Sequence, residues 1–107
     1  MVADLSSQAQ IRRLAQEFKD RYQRLDVLIN NAGIGLAERA KSPDGIEMFF
    51  AVNHIACFLL TNLLLERLKA SAPSRVVNVS TFAHSWINKI NFEDLQGKQK
   101  SPPKRVR

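Results

Sequence analysis

Two short runs without alternation constrain the fold more than any other feature of this sequence. Leu25–Ile29 (LDVLI) and Arg75–Val79 (RVVNV) are rich in β-branched residues and lack the apolar/polar alternation of a strand with one wet face. Such a run reads as a strand covered on both sides, as in a parallel sheet. Between them, Ile46 to Lys69 carries a long helical pattern, with Phe49, Phe50, Asn53, Cys57, Leu60, Leu64 and Leu68 along one broad side. Strands alternating with helices indicate βαβ units, each with a right-handed crossover.

Ahead of the first run, Ser7-Gln8-Ala9-Gln10 has the form of a capping box. Ile11, Leu14, Phe18 and Tyr22 then recur at three- and four-residue steps, which predicts an amphipathic helix over 7–23. Asn30–Lys41 reads as a loop. Ser42-Pro43-Asp44-Gly45 reads as a helix start, with Ser42 as N-cap and Pro43 at the first helical position. Pro73 closes the long helix. Residues 81–97 are irregular, with apolar anchors at Trp86, Ile87, Ile90, Phe92 and Leu95. The expected fold class is α/β, a partial doubly wound fold of the Rossmann type in the order helix, strand, long helix, strand, with the strands parallel. Two buried strands make a poor sheet, so the chain looks like the middle of something larger. The expected organisation is one domain over residues 1–97 and a basic, disordered tail over 98–107.

The net charge of +6 raises the question of nucleic acid. Lys98, Lys100, Lys104, Arg105 and Arg107 lie in the tail, which holds no acid, and the remainder has 11 Lys+Arg against 10 Asp+Glu. The basicity is therefore a property of the tail, and no basic stripe with interleaved aromatics runs through the body; specific nucleic-acid binding is not expected. Cys57 is the single cysteine, so neither an internal disulfide nor a cysteine-based metal site is possible. His54 and His84 lack metal-ligating partners at usable spacing, and no metal site is expected. The first ten residues lack the form of a secretory signal, and the longest apolar run, Ala56–Leu60, is far short of a membrane span. A cytoplasmic location is expected.

In a parallel sheet, ligands bind beyond the carboxyl ends of the strands. Asn30-Asn31-Ala32-Gly33 and Asn78-Val79-Ser80-Thr81 occupy those ends. The Asn31 amide both donates and accepts, and so can lock a strand end by bonding backbone on each side. Ala32 and Gly33 are small enough to let a flat group lie against the backbone.

The stretch "LDVLINNAG" resembles the fourth-strand motif of the short-chain dehydrogenases/reductases. "DGIEMFFAVNHIACFLLTNLLLERLKASAPSRVVNVSTFAH" resembles the next helix and strand of that family's retinol-dehydrogenase-like branch. The resemblance covers nearly all of residues 2–97. It implies hydride transfer between NAD or NADP and a lipophilic alcohol or carbonyl. It also implies that Asp4, with Leu5 beside it in "ADLSS", contacts the adenine of the cofactor. Asn30, Asn31, Ala32 and Gly33 would line the adenosine-side ribose. Asn53, in "VNH", matches the asparagine of the catalytic tetrad, which helps hold a water in a proton relay. The catalytic serine position, three residues after Asn78, is Thr81, preceded by Ser80. Either hydroxyl can substitute, and Thr81 is favoured.

Two family elements are missing from these residues. The acid/base pair is Tyr-x-x-x-Lys, in which lysine lowers the tyrosine pKa. The only tyrosine is Tyr22, and four positions on stands Asp26. The glycine-rich turn that cradles a pyrophosphate is also missing. Gly33-Ile34-Gly35 starts such a pattern, but position 38 is Glu38. Beyond about Gln96–Lys100 nothing resembles the family. The expectation is a truncated member, inactive alone, whose binding of NAD(P) is in doubt. A rival expectation is a non-catalytic interaction module that self-associates through the long helix or exposed strands.

Overall fold

The computed structural model describes residues 1–35, 38–81, 85 and 90–98. The expected tail (apart from Lys98), His84 and the anchors Trp86 and Ile87 lie outside these described residues.

The first helix, α1, runs Gln8–Arg21. Ser7 caps it as the sequence suggests, its Oγ accepting from Gln10 N at 3.3 Å. The reciprocal half differs. The Gln10 side chain reaches past the cap and accepts from Asp4 N at 2.9 Å. The first free N–H of the helix, Gln8 N, is capped from far along the chain by Asp44 Oδ2 at 2.9 Å. Ile11 and Ala15 are buried, while the Tyr22 ring packs at a tilt against Phe18 at the exposed end.

Strand β1 (Val27–Asn30) and strand β2 (Arg75–Asn78) pair in parallel, with Leu28 opposite Val76 and Asn30 opposite Asn78. Among the described residues, the helices lie on one face of this pair. Leu28 and Asn30 point toward them, while Val27 and Ile29 are 49% and 60% exposed. The expected covering on both faces is therefore not met among the described residues. The unbroken apolar pattern suits a sheet with two helix layers, and the described residues supply one.

Ser42-Pro43-Asp44-Gly45 is not a helix start. It is a tight turn: Gly45 N donates to Ser42 O at 2.9 Å, Ser42 N to Ile46 O at 2.7 Å, and Gly45 has φ 76°. A left-handed residue cannot continue a helix, so the helix begins later. Its cap is Glu47, whose carboxylate accepts from Phe49 N and Phe50 N at 3.0 and 2.9 Å.

The long helix is not uniform. It comprises α2 (Met48–Phe50), a π-helical turn (Ala51–Ile55), α3 (Ala56–Leu63) and, after an interruption at Leu64, α4 (Leu65–Ala70). A π turn inserts an extra residue and shifts the phase of everything before it. Burial consequently falls on Ala51, Val52, Ala56, Leu64 and Leu68, and Asn53 leaves the expected apolar side for an exposed position. The core is the seam between α1 and α3. Arg67 ties it off, its Nη2 donating to Lys19 O at 3.0 Å at the carbonyl end of α1. Ser71, 1% exposed, joins α4 to the start of β1: its Oγ accepts from Leu25 N at 2.9 Å and donates to Arg67 O at 2.7 Å.

Candidate functional site

The carboxyl ends of β1 and β2 open into a cleft of about 380 Å³ whose lining includes Asn30, Ala32, Asn53, Cys57, Asn78 and Ser80. Three side chains build it. Asn30 closes the ends of the sheet, its Nδ2 donating to Asn78 Oδ1 at 2.8 Å and to Thr61 Oγ1 of α3 at 3.0 Å. One amide thus ties β1, β2 and the long helix together. The lock expected of Asn31 is made by its neighbour, because Asn30 points toward the helix layer and Asn31 toward solvent.

Asn53 holds the loop that follows β1. Its Oδ1 accepts from Ile34 N at 2.8 Å and its Nδ2 donates to Ile34 O at 3.1 Å. This pairing copies one rung of a backbone ladder onto a side chain, and it places the loop against the π-helical turn. A methyl carbon added at Gly33 would stand 3.3 Å from Asn53 Oδ1, so the small residue there keeps the clamp seated. The thiol of Cys57 donates to His54 O at 3.2 Å, turned onto the helix backbone. Ser80 lines the cleft, and Thr81 stands one position further, exposed.

A second, smaller hollow of about 60 Å³ lies on the other side of Asn30 and Ala32, where Leu5 faces Asn31, Val52 and Ala56. The structure therefore brings Leu5 together with Asn30, Asn31 and Ala32. Asp4 is not part of that lining. Its Oδ1 accepts from Ser6 Oγ at 2.7 Å and Ser6 N at 2.9 Å, and these bonds, the side-chain one foremost, hold its pKa below the ordinary carboxylate value. Thr61 was missed from the sequence as a site residue. Its signal was available: Asn53, Cys57 and Thr61 recur at four-residue steps on an otherwise apolar helix.

A model of the short chain dehydrogenase family matches residues 1–88. The chain belongs to the short-chain dehydrogenases. It is 53% identical over 97 residues to "Retinol dehydrogenase 12" of Mus musculus, a match that covers 91% of this chain and 30% of that protein. Among solved structures, the Pseudomonas aeruginosa RhlG/NADP active-site complex aligns at 36% identity and a TM-score of 0.67, over 91% of this chain and 40% of that one. NADH-dependent reductase A1-R' complexed with NAD aligns at 30% identity and a TM-score of 0.64, over 82% of this chain and 40% of that one. The chain thus spans about 30% of the length of the curated relatives it matches. The partial Rossmann reading agrees with the fold of these neighbours. No described helix is long and apolar enough to cross a membrane.

The residues present fit one portion of a dinucleotide. Leu5, Asn31 and Ala32 offer an apolar wall with an exposed amide, which suits the edge of a ribose and a base, while Gly33 lines neither hollow and stands instead against Asn53. They do not fit a diphosphate. Among the described residues, no Lys or Arg lines either hollow, and α1 presents its N-terminus to Asp44.

Proposed function

We propose that these residues are the adenosine-side wall and the proton-relay corner of a retinol-dehydrogenase-like oxidoreductase. Asp4, Leu5, Asn30, Asn31, Ala32 and Gly33 serve the nucleotide side. Asn53 and a hydroxyl at Thr81 or Ser80 serve the reacting side. The observation that carries this reading is the Asn53 clamp on Ile34, which holds an exposed amide of the π-helical turn against the loop after β1, in one cleft with Asn78 and Ser80. In the whole protein, NAD or NADP would supply a hydride acceptor or donor, and the substrate would be a lipophilic alcohol or carbonyl. Asn53 orients the loop beneath the cofactor and holds a water at its exposed edge. The hydroxyl at position 80 or 81 orients the substrate oxygen.

Proton transfer needs a group poised near the operating pH and within reach of the substrate oxygen. No tyrosine–lysine pair occurs in these 107 residues, and Tyr22 sits at the far end of α1. The chain by itself therefore does not turn over alcohol. Incubation with NAD or NADP and all-trans-retinol, followed by absorbance of the reduced cofactor, should show no product. Adenosine-ring contacts to Leu5 and Ala32, read by saturation-transfer NMR with AMP, should still appear. Cofactor-dependent oxidation abolished by Asn53→Ala would overturn the inactive reading, and loss of any AMP contact would overturn the wall.

A second reading is supported by the open sheet face. Val27, Ile29 and Val77 share that side in register and are all at least 40% exposed. Apolar strand faces of this kind drive self-association. Sedimentation velocity at several concentrations tests it, and a monomer throughout counts against it.

A further inference from the structure

Gln96 stands outside the cleft, yet it fastens the two elements that the Asn53 clamp joins. Its side chain lies at the start of the long helix, where Oε1 accepts from Glu47 N at 3.2 Å. Its carbonyl meets the far end of the loop after β1, accepting from Nε and Nη2 of Arg39 at 3.4 Å each. Two turns hold Gln96 in place: Asp94 N donates to Asn91 O at 3.2 Å and Gly97 N to Asp94 O at 3.1 Å.

Glu47 is the point on which the helix start depends. It is buried, and it uses its N–H, its carbonyl and both carboxylate oxygens. The carboxylate caps Phe49 N and Phe50 N, the carbonyl accepts from Ala51 N at 2.8 Å, and the N–H goes to Gln96. Met48 N then donates to Ala40 O at 2.8 Å, which lays the loop against the same turn. Only three α-helical residues, Met48–Phe50, separate this cap from the π-helical turn that carries Asn53. So short a turn does not hold itself, because helix formation gains a bond per residue only after a costly nucleus. Its position is set by what satisfies its end.

We infer that Gln96 is a positioning residue: by joining the Glu47 N–H to Arg39, it fixes the start of the long helix against the loop after β1 and so keeps Asn53 seated on Ile34. The loop is then held near both ends, at Ile34 by Asn53 and at Arg39 by Gln96. Loss of the Gln96 acceptor leaves the Glu47 N–H unpaired in a buried setting, which favours opening of the first turn. That turn leads directly into the π-helical turn, so Asn53 moves with it. The geometric role stands by itself, while its meaning for a proton relay rests on the reading of the cleft proposed above.

The test is amide exchange by NMR on the full chain, with Gln96→Met, Gln96→Glu and Gln96→Met combined with Asn53→Ala. Methionine keeps the reach of the side chain and removes the acceptor. Glutamate keeps an acceptor oxygen, and Arg39 stands beside the residue to meet its charge. In Gln96→Met, Glu47 N–H should exchange about tenfold faster and Ile34 N–H about threefold faster, with Ala15 of α1 unchanged. Glutamate should restore both rates, which a role in packing alone would not predict. In the Asn53→Ala background, Gln96→Met should change Ile34 no further, because the effect travels through Asn53. Parent-like exchange at Ile34 in Gln96→Met overturns the inference, and so does an additive effect in the double variant. Where methionine also opens α1, the glutamate variant decides: parent rates support the role, and a fast Ile34 overturns it. Contacts of AMP with Leu5 and Ala32, measured on the parent, report on the cleft and not on Gln96, so the two readings fail separately.

Discussion

Asn53→Ala tests the central contact of the site. The substitution removes two hydrogen bonds, to Ile34 N at 2.8 Å and to Ile34 O at 3.1 Å. A net hydrogen bond contributes about 0.5–1.5 kcal/mol, and an exposed one falls at the low end because water replaces the lost partner. Alanine returns about 0.6 kcal/mol of helix propensity over asparagine. The two terms nearly offset, so global stability in urea should change by less than about 1 kcal/mol. The local effect is larger, because Ile34 N–H loses its acceptor and the loop loses its tether. Native-state amide exchange read by NMR should show Ile34 exchanging roughly tenfold faster, with α1 unchanged. Asn53→Asp separates the two bonds. It keeps an acceptor for Ile34 N but turns an oxygen toward the Ile34 carbonyl, so protection at Ile34 should fall between asparagine and alanine. Exchange at Ile34 that ignores both substitutions would refute the clamp.

Other outcomes follow from the contacts that join the elements. Ser71→Ala leaves Leu25 N–H without its acceptor in a site that is 1% exposed, and urea denaturation should show a loss of about 1–3 kcal/mol. Arg67→Met keeps the apolar stem and removes a guanidinium whose buried Nε has no partner, so its cost should stay within about 1 kcal/mol. Arg67→Ala should cost more, through lost packing against the α1–α3 seam, and an alanine variant as stable as the methionine one would count against that role. Asp4 has its pKa lowered in the folded chain by Ser6, so its contribution is present above the ordinary carboxylate value and is lost as pH falls through the lower folded value. Acid titration of stability should therefore flatten in Asp4→Asn across that window, and an unchanged titration would show that the Ser6 bonds carry no linkage.

The parts of this molecule that were legible in the sequence are those set by local chemistry. The apolar period of α1, its Ser7 cap and the parallel pairing of two β-branched runs follow from residue spacing. The placement of Asn30 and Asn78 at the strand ends does too, and the structure joins them at 2.8 Å. The failures have physical causes. Ser-Pro-Asp-Gly suits a helix start and a tight turn equally well; Gly45 decides for the turn by taking φ 76°, and Asp44 leaves to cap α1 instead. The π-helical turn has no sequence signature, yet it moves burial from the expected side of the long helix to Val52 and Ala56. The strand faces misled in another way. Their pattern suits a second covering layer that is not among the described residues.

The geometry of the cleft and its chemistry come apart at Asn30. The amide nitrogen of Asn30 uses both of its hydrogens, one on β2 and one on α3, so its orientation is fixed without help from any ligand. Asn53 is fixed the same way by the Ile34 backbone. The bonds of Asn30 and Asn53 close within the helix–strand–helix–strand unit. Such a unit needs no other part of the family's fold to set the orientations of Asn30 and Asn53. Catalysis differs in kind, because it depends on a titrating group held over the cleft and on charge to meet a diphosphate, and the walls described here provide neither. Neutral amides can bind and orient but carry no charge for a diphosphate and no titrating proton; in the reading proposed above, those two tasks fall to residues of opposite character.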